Sequence, residues 1–220
     1  MKINPLSLIW FVAVSLLASI GVSTSVKAEA WGISTTSKYI GDGETVRLLI
    51  KEGANDFYWS VNVPLSTTNN NLRIDGFPKA TLFQRVIGDP EQQFIVTASN
   101  FGPKWKLLKL NKRDSFNREL CLNAHYFYNL APVNVYPCNP SDSDQAWSNW
   151  AGAGVINYPA KFISITNKTT YDGQVPGYCL NVQYRQNLQP LSMYNGVACS
   201  SSDQNSSFWV VPSQAPPNKF

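Results

Sequence analysis

One sequence pattern occurs three times along this chain, and it limits the possible folds more than any other feature. Each copy has a first apolar stretch ending near an asparagine, a second apolar stretch, and a final stretch built around glutamine and an aromatic residue. The second copy reads Cys121–Ala124, Val133–Cys138 and Gln145–Trp147; the third reads Cys179–Val182, Leu191–Cys199 and Asp203–Gln204; a degraded first copy reads Ser60–Val63, Thr81–Gln84 and Gln92–Phe94. Units of roughly 50 residues that cannot bury an apolar face alone predict a closed, three-fold architecture.

The alternation of apolar and turn residues predicts strands throughout the repeats. Thr45–Ile50 and Phe57–Val63 have the composition of the first two strands, and turn residues return about every 8–12 residues. No amphipathic helical pattern of useful length occurs in the sequence. We therefore expect an all-β domain over residues 45–211, a three-fold barrel with one aromatic residue from each unit at its centre: Phe94, Trp147 and Trp209.

The N-terminal segment has the features of a secretory signal. Lys2 precedes an apolar run over Leu6–Val22, and Ala28-Glu29-Ala30 fits a small-x-small cleavage site. A membrane anchor is the alternative, but the run is near the lower length limit of a spanning helix. The sequence thus predicts a signal peptide at 1–30, an extended arm at 31–44, the repeat domain, and a loose tail at 212–220. The mature chain is predicted to be secreted, in the periplasm or outside the cell.

The charge balance gives little support to nucleic-acid binding. The chain carries a formal net charge of +4, and removal of residues 1–30 leaves 16 basic against 13 acidic residues. A nucleic-acid surface usually needs clustered Lys and Arg, and the loose cluster over Lys104–Arg113 is more typical of a solvated edge. No phosphate-cradling glycine loop occurs, and we predict no cofactor.

Four cysteines lie beyond the signal segment, and an even count in an exported chain indicates disulfides. Of the three possible pairings, the repeats favour Cys121 with Cys138 and Cys179 with Cys199, each within one unit. The first unit has Ser60 and Arg85 at the matching positions and is predicted to lack a bridge. A metal site is the alternative, but the chain has one histidine and no C-x-x-C pair.

These motifs resemble the ricin-type β-trefoil lectins over about residues 45–211. The second copy carries the resemblance best, with Cys-Leu-x-Ala, Tyr-Pro-Cys and Gln-Ala-Trp in order. In the third copy, Gln204 and Trp209 are separated by extra residues. A narrower resemblance, in layout more than in motif, is to the cell-binding subunits of cytolethal distending toxins, which also combine an N-terminal arm with such a domain.

The lectin resemblance implies a shallow sugar pocket in each unit. It places a polar anchor two residues after the first cysteine, an aromatic platform before the second, and a polar group beside the Gln-x-Trp glutamine. The carbohydrate-binding residues so implied are Asn123, Tyr136, Asp144, Gln145, Asn181, Tyr194, Asp203 and Gln204. The family has aspartate at the anchor, whereas Asn62, Asn123 and Asn181 stand there, so binding weaker than the family's is expected. The two glutamines are expected to act mainly in structure.

Two classes of function other than a lectin fit the sequence. The first is a docking subunit of a secreted toxin, because the aromatic run Phe57, Tyr58 and Trp59 would suit contact with a partner chain. The second is a trefoil protease inhibitor, although such inhibitors lack Gln-x-Trp repeats. Catalysis is not predicted, because His125 is the only histidine and no carboxylate pair stands out.

Overall fold

The computed structural model describes residues 31–32, 39–40, 42–52, 58–126, 128–150, 161–165, 178–195 and 203–213. The predicted signal segment, Phe57, Cys199 and most of the predicted tail lie outside these ranges. In chain order the strands are β1 Trp31–Gly32, β2 Tyr39–Ile40, β3 Thr45–Lys51, β4 Tyr58–Asn62, β5 Arg73–Ile74, β6 Phe77–Pro78, β7 Thr81–Gln84, β8 Phe94–Ala98, β9 Lys106–Leu110, β10 Leu120–Asn123, β11 Ala131–Pro132, β12 Asn134–Pro137, β13 Trp147–Trp150, β14 Lys161–Ser164, β15 Tyr178–Val182, β16 Gln189–Asn195 and β17 Trp209–Pro212.

The described ranges contain no α-helix, and their helical turns are short 3₁₀ segments at Asn70–Leu72, Pro90–Gln92 and Gln204–Ser206. Within these ranges no helix is long and apolar enough to cross a membrane. In the predicted arm, β1 pairs with β2 in antiparallel fashion. At the other end, β17 continues one residue beyond the predicted boundary of 211, and the N–H of Ser213 donates to the carbonyl of Thr45 at 2.9 Å.

The strand pairing repeats from unit to unit and closes on itself. In the first two units the first strand pairs with the fourth, β3 with β8 and β9 with β13. Each fourth strand then pairs with the first strand of the next unit, β8 with β9, β13 with β14, and finally β17 with β3. The middle strands form three hairpins, β4–β7, β10–β12 and β15–β16. A barrel closed by the last and first strands, with three hairpins, is a β-trefoil, as predicted.

The register of the hairpins confirms the alignment of the three copies. The first cysteine position faces the aromatic position in every unit, as the pairs Ser60–Phe83, Cys121–Tyr136 and Cys179–Tyr194 show. The anchor asparagines likewise face equivalent residues, in the pairs Asn62–Thr81, Asn123–Asn134 and Asn181–Ser192. A side-chain period of two then fixes which residues share a face, so the three units present the same positions at the same edge.

The central core confirms two of the three predicted aromatic residues and corrects the third. Phe94 and Trp147 are fully buried, and the indole Nε1 of Trp147 donates to the carbonyl of Leu122 at 2.8 Å. In the third unit Phe208 is fully buried and packs edge-to-face on Phe162, with ring centroids 6.2 Å apart. Trp209 is only partly buried and packs outside this core, against the small cluster of Leu49, Tyr58 and Val211. The prediction that Trp209 is the third core aromatic is therefore wrong.

A capping aspartate explains this difference. The turn before the core aromatic opens with Asp89, Asp142 or Asp203, whose Oδ1 accepts the N–H two residues later at 2.9–3.0 Å. Counting from this aspartate puts the glutamine position three residues on, at Gln92, Gln145 and Ser206, and the aromatic five residues on. The third copy of Gln-x-Trp is thus Ser206-Ser207-Phe208, and no residues are inserted.

Two of the three predicted partner-contact aromatics, Tyr58 and Trp59, are not presented on the surface of this chain. Every residue of β4 is buried, with Tyr58 5% and Trp59 7% exposed. Trp59 points into the main core, while Tyr58 packs in the cluster with Leu49 and Val211. The strand buries both of its faces, because the barrel covers one and the smaller cluster covers the other. Phe57, the third member of the run, lies outside the described residues.

The predicted disulfide between Cys121 and Cys138 is present, with the Cα atoms 4.9 Å apart. It joins the start of the second hairpin to its end. Cys179 is also disulfide-bonded, and its predicted partner Cys199 lies outside the described residues. No free cysteine occurs among the described residues.

Replacing Cys121 and Cys138 together by serine is expected to lower the free energy of unfolding by about 3 kcal/mol. The bond closes a loop with a sequence separation of 17, and a loop of this size contributes about 3 kcal/mol through restriction of the unfolded chain. Urea unfolding followed by tryptophan fluorescence measures the change. A loss under about 1 kcal/mol would mean that packing alone holds the hairpin together.

Candidate functional site

The second unit carries an open pocket at the edge where its anchor and platform residues meet. Its volume is about 300 Å³, and it is lined by Asp75, Asn123, His125, Asn134, Tyr136, Asp142 and Asp144. Of the residues predicted for this unit, the structure brings together Asn123, Tyr136 and Asp144. The other four were not predicted from the sequence.

Two asparagines form the floor of the pocket. Asn123 ends β10 and Asn134 begins β12, so the two face each other across the hairpin. Nδ2 of Asn123 donates to Oδ1 of Asn134 at 3.0 Å, and each residue is only 4% exposed. Oδ1 of Asn123 and Nδ2 of Asn134 have no hydrogen-bond partner among the described residues. The pair therefore presents one acceptor and one donor side by side in the lining of the pocket.

Tyr136 provides a flat apolar wall beside these amides. It is 43% exposed, since its position on β12 points away from the barrel core. Its ring packs against the ring of Phe77, with the centroids 4.6 Å apart and the planes inclined by 58°. The guanidinium of Arg118 in turn lies 4.8 Å from the centroid of Phe77. The platform is thus held by packing and does not depend on a ligand for its position.

The first unit contributes Asp75 to this pocket through a short hairpin. Strands β5 and β6 are joined by Asp75-Gly76, whose φ values of 52° and 80° lie in the left-handed region. This Asp-Gly pair suits a two-residue hairpin turn, in which glycine adopts a positive φ without steric cost. Oδ2 of Asp75 accepts a 2.9 Å hydrogen bond from the hydroxyl of Tyr126, and this bond raises the pKa of Tyr126.

Two carboxylates come from the turn that precedes β13. Asp142 caps the turn, with Oδ1 accepting the N–H of Asp144 at 2.9 Å. Oδ2 of Asp144 lies 2.6 Å from Nδ1 of His125, which follows β10 in the adjacent loop. The backbone carbonyl of Asp144 also accepts the N–H of Ala124 at 3.0 Å, which ties the turn to the end of β10. This bond holds the carboxylates beside the asparagine pair.

Gln145 does not line the pocket. Its side chain is buried, where Nε2 donates to the carbonyl of Pro137 at 3.0 Å and Oε1 accepts the N–H of Asn139 at 2.9 Å. Gln92 makes the equivalent bonds in the first unit, to the carbonyl of Gln84 and the N–H of Val86. This glutamine therefore clamps the end of the third strand to the following turn, which is the structural role expected for it.

The third unit arranges its predicted residues differently. Nδ2 of Asn181 donates to Oδ2 of Asp203 at 3.1 Å, so the anchor is paired with the capping aspartate. Tyr194 is half-buried, and Gln204 is exposed at the second position of the turn. When the units are aligned on their capping aspartates, Asp142 and Asp203, the equivalent of Asp144 is Asn205. The structure thus shows no carboxylate at that position of the third unit.

In the third unit the glutamine position is occupied by Ser206, and a buried lysine forms the hydrogen bonds that hold the turn. Nζ of Lys161 donates to the carbonyl of Asp203, to Oγ of Ser206 at 2.9 Å and to Oγ of Ser207 at 2.5 Å. Burial lowers its pKa to about 8, against the opposing charge of Asp203. Its ammonium group holds the turn that Gln92 and Gln145 hold elsewhere through their amides.

This lysine predicts a pH dependence of stability. Because the folded pKa of about 8 lies below the ordinary 10.5, the charged form is disfavoured in the folded state. The free-energy cost of keeping Lys161 charged in the folded protein is complete below about pH 8. It falls as pH rises toward 10.5, so the free energy of unfolding should rise with pH over that window. Compared with Lys161→Met, the wild type is expected to gain on the order of 1 kcal/mol between pH 7 and pH 10. Thermal unfolding of both proteins at the two pH values measures it, and a constant difference would contradict it.

Two signals in the sequence could have identified the missed residues. The spacing Asp-x-x-Gln/Ser-x-aromatic is present in all three copies and would have set the third register. Asp75-Gly76 between Arg73-Ile74 and Phe77 is a recognisable hairpin signal. Its approach to the second unit, however, has no counterpart in the local sequence.

Solved structures similar to this chain show the same fold. A designed three-fold symmetric protein, ThreeFoil, matches with a TM-score of 0.50 and 15% identity, over 76% of this chain and 97% of that chain. A mosquitocidal holotoxin matches with a TM-score of 0.55 and 12% identity. The match covers 80% of this chain but only 18% of the holotoxin chain. At these identities the similarity concerns the fold alone. No family model matches the sequence, and no curated protein matches it.

Two further structures match this chain with lower TM-scores. The C-half of an earthworm R-type lectin in complex with GalNAc matches with a TM-score of 0.45 and 9% identity, over 77% of this chain and 98% of that chain. The cytolethal distending toxin of Haemophilus ducreyi matches with a TM-score of 0.48 and 9% identity, over 78% of this chain and 85% of the toxin chain. The β-trefoil fold of this chain follows from its own strand pairing, and the matches to ThreeFoil and to the holotoxin agree with it.

Proposed function

We propose that this protein binds glycans, and that the pocket of the second unit is its principal binding site. The observation that carries the proposal is the exposed ring of Tyr136 beside the Asn123–Asn134 pair. A sugar has an apolar C–H face and hydroxyl groups that both donate and accept. The ring suits the first feature, and the unpartnered amide oxygen and nitrogen suit the second. Ligand pockets in general combine apolar walls with a few well-placed polar groups.

The rigid support of the pocket also favours binding over a purely structural role. Tyr136 rests on Phe77, and the carboxylate turn is tied to β10 through Ala124. A site whose groups are already in position loses less entropy on binding, and this raises affinity. Tyr136 is also more exposed than a residue that serves only the core. We propose that the protein binds glycans and does not catalyse a reaction on them.

The experiment is a glycan array probed with residues 31–220, followed by calorimetric titration of the best ligands. Wild-type protein is expected to bind at least one glycan class reproducibly, and Asn123→Ala is expected to lose that binding. Asn71→Ala is the matched control, because Asn71 is an exposed asparagine that forms hydrogen bonds with the described residues through its backbone and not through its side chain. Both variants should unfold cooperatively, as judged by circular dichroism.

If the folded wild-type protein bound no glycan on the array, this result would contradict the proposal. In that case a docking role in a multi-subunit toxin becomes the better candidate, and a co-purifying partner chain would support it. The burial of Tyr58 and Trp59 removes part of the sequence argument for that role.

We also propose that the protein is exported and acts outside the cytoplasm. The apolar run over Leu6–Val22 and the cleavage site at Ala30 support this, as does the disulfide between Cys121 and Cys138, since such bonds persist in oxidising compartments. N-terminal sequencing of protein recovered from outside the cytoplasm is expected to begin at Trp31. A mature chain that begins at Met1 would contradict this.

A further inference from the structure

We propose that the second-unit pocket selects amino sugars that carry a free, protonated amine, and that it disfavours sugars that carry a carboxylate or sulfate. This inference depends on the glycan-binding function proposed above and specifies the ligand class of the same site. It arises from the charge of the pocket lining, which differs from that of the whole chain.

Three of the seven lining residues are aspartates: Asp75, Asp142 and Asp144. Among the described residues, no lysine or arginine lines the pocket, although the chain as a whole has a formal net charge of +4. Of the lining residues that the structure describes, only His125 can carry a positive charge, and its Nδ1 lies 2.6 Å from Oδ2 of Asp144. Even with His125 charged, the lining therefore keeps a net negative charge. Such a concentration of one sign in a concave site favours ligands of the opposite sign.

The carboxylates are held in place by bonds that use only some of their oxygens. Asp142 uses Oδ1 for the N–H of Asp144, and Asp75 uses Oδ2 for the hydroxyl of Tyr126. Oδ2 of Asp142 and Oδ1 of Asp75 have no hydrogen-bond partner among the described residues. Two acceptor oxygens from different units thus remain for a ligand. A hydrogen bond from an ammonium group to a carboxylate is roughly twice as strong as one between neutral groups.

The same pocket contains the groups that recognise the sugar ring itself. Asn134 is 4% exposed and lines the pocket, and its Nδ2 has no partner among the described residues. Tyr136 supplies the stacking wall. A metal ion is a less suitable ligand, because no three His, Cys, Asp or Glu side chains among the described residues are placed to hold one. A sugar with an amine satisfies the ring-binding groups and the carboxylates together.

The test compares matched sugars by titration calorimetry near neutral pH. Galactose, glucose and mannose are each compared with the free amino sugar and the N-acetylated amino sugar of the same configuration. In at least one series the free amine is expected to bind at least about tenfold more tightly than its parent, a difference of about 1.4 kcal/mol. The advantage should shrink as NaCl is raised from about 0.1 M to about 1 M, because the Debye length falls from about 10 Å to about 3 Å.

A charge-removing variant locates the effect. Asp75→Asn keeps the size of the side chain and suits the turn, because asparagine tolerates the positive φ found there. It is expected to lose most of the amine preference while it retains the binding of neutral sugars. Glu119→Gln is the matched control, since Glu119 pairs with Lys109 and Arg113 and does not line the pocket. The control should keep the full preference.

The outcomes separate this inference from the proposed function. If neutral sugars bind and the free amines bind no more tightly in any series, the amine preference is wrong and glycan binding stands. If Asp75→Asn keeps a preference that the wild type shows, Asp75 does not hold the amine, and the inference that carboxylates from two units bind it is wrong. If no sugar or glycan binds, the proposed function fails and this inference with it.

Discussion

Replacing Phe208 by alanine is expected to lower the free energy of unfolding by about 3–5 kcal/mol, the usual cost of removing a buried phenyl ring. Phe208 is fully buried and contacts Phe162 edge-to-face in the main core. The third unit contributes this ring where the other two contribute Phe94 and Trp147. Loss of the ring leaves a cavity in the core shared by all three units, so the effect should extend beyond the third unit. Denaturant unfolding followed by fluorescence and circular dichroism measures it.

Trp209→Ala is the control, and its expected cost is smaller. Trp209 is partly buried and packs at the margin of the cluster formed by Leu49, Tyr58 and Val211. If Trp209→Ala proved the more damaging change, the register set by Asp203 would be wrong and the sequence alignment of the third unit right. The pair of variants therefore decides between the two alignments directly.

Replacing Tyr136 by alanine is expected to weaken glycan binding about 30-fold or more, which corresponds to about 2 kcal/mol. Tyr136 offers the largest apolar surface in the pocket, and the variant removes the whole platform while leaving the asparagine pair in place. Since Tyr136 is 43% exposed, the cost to stability should be modest. Titration calorimetry with the best array ligand measures the change.

Two further variants define what the tyrosine does. Tyr136→Phe should retain most of the affinity if the ring face is what binds. Tyr184→Ala is the matched control, because Tyr184 is 64% exposed and does not line the pocket. Full affinity of Tyr136→Ala would contradict the platform role and would move the binding site elsewhere on the molecule.

The parts of the site that were predictable are those in which spacing along the chain fixes position. Asn123 lies two residues after Cys121, and Tyr136 faces Cys121 across the hairpin. The disulfide to Cys138 follows from the same pairing. In a strand the side-chain period is two, so a motif that places one of these residues places the others. The three copies in turn predicted the number of hairpins and the closed barrel.

The misplaced residues are those whose environment comes from distant chain. Tyr58 and Trp59 have the composition of an exposed aromatic patch, yet β4 is buried on both faces because β17 and its neighbours cover the outer side. Asp75 lies in the first unit but lines the pocket of the second, since Phe77 in the same hairpin packs on Tyr136. Local pattern determines which residues form a strand or a turn, but it does not determine what packs on them.

The sequence by itself determined the three-fold repeat, the strand hairpins, the second-unit bridge and the positions of the anchor asparagines and platform tyrosines. The repeat is set by the recurrence of one pattern along the chain, and the other features are set by period and spacing within one copy of it. Only the tertiary structure decided that the second unit has an open pocket, which residue completes the third part of the core, and that carboxylates from two units line one site. Those properties depend on contacts between segments far apart in the chain, whose packing is set by the closed barrel and not by any one copy of the repeat.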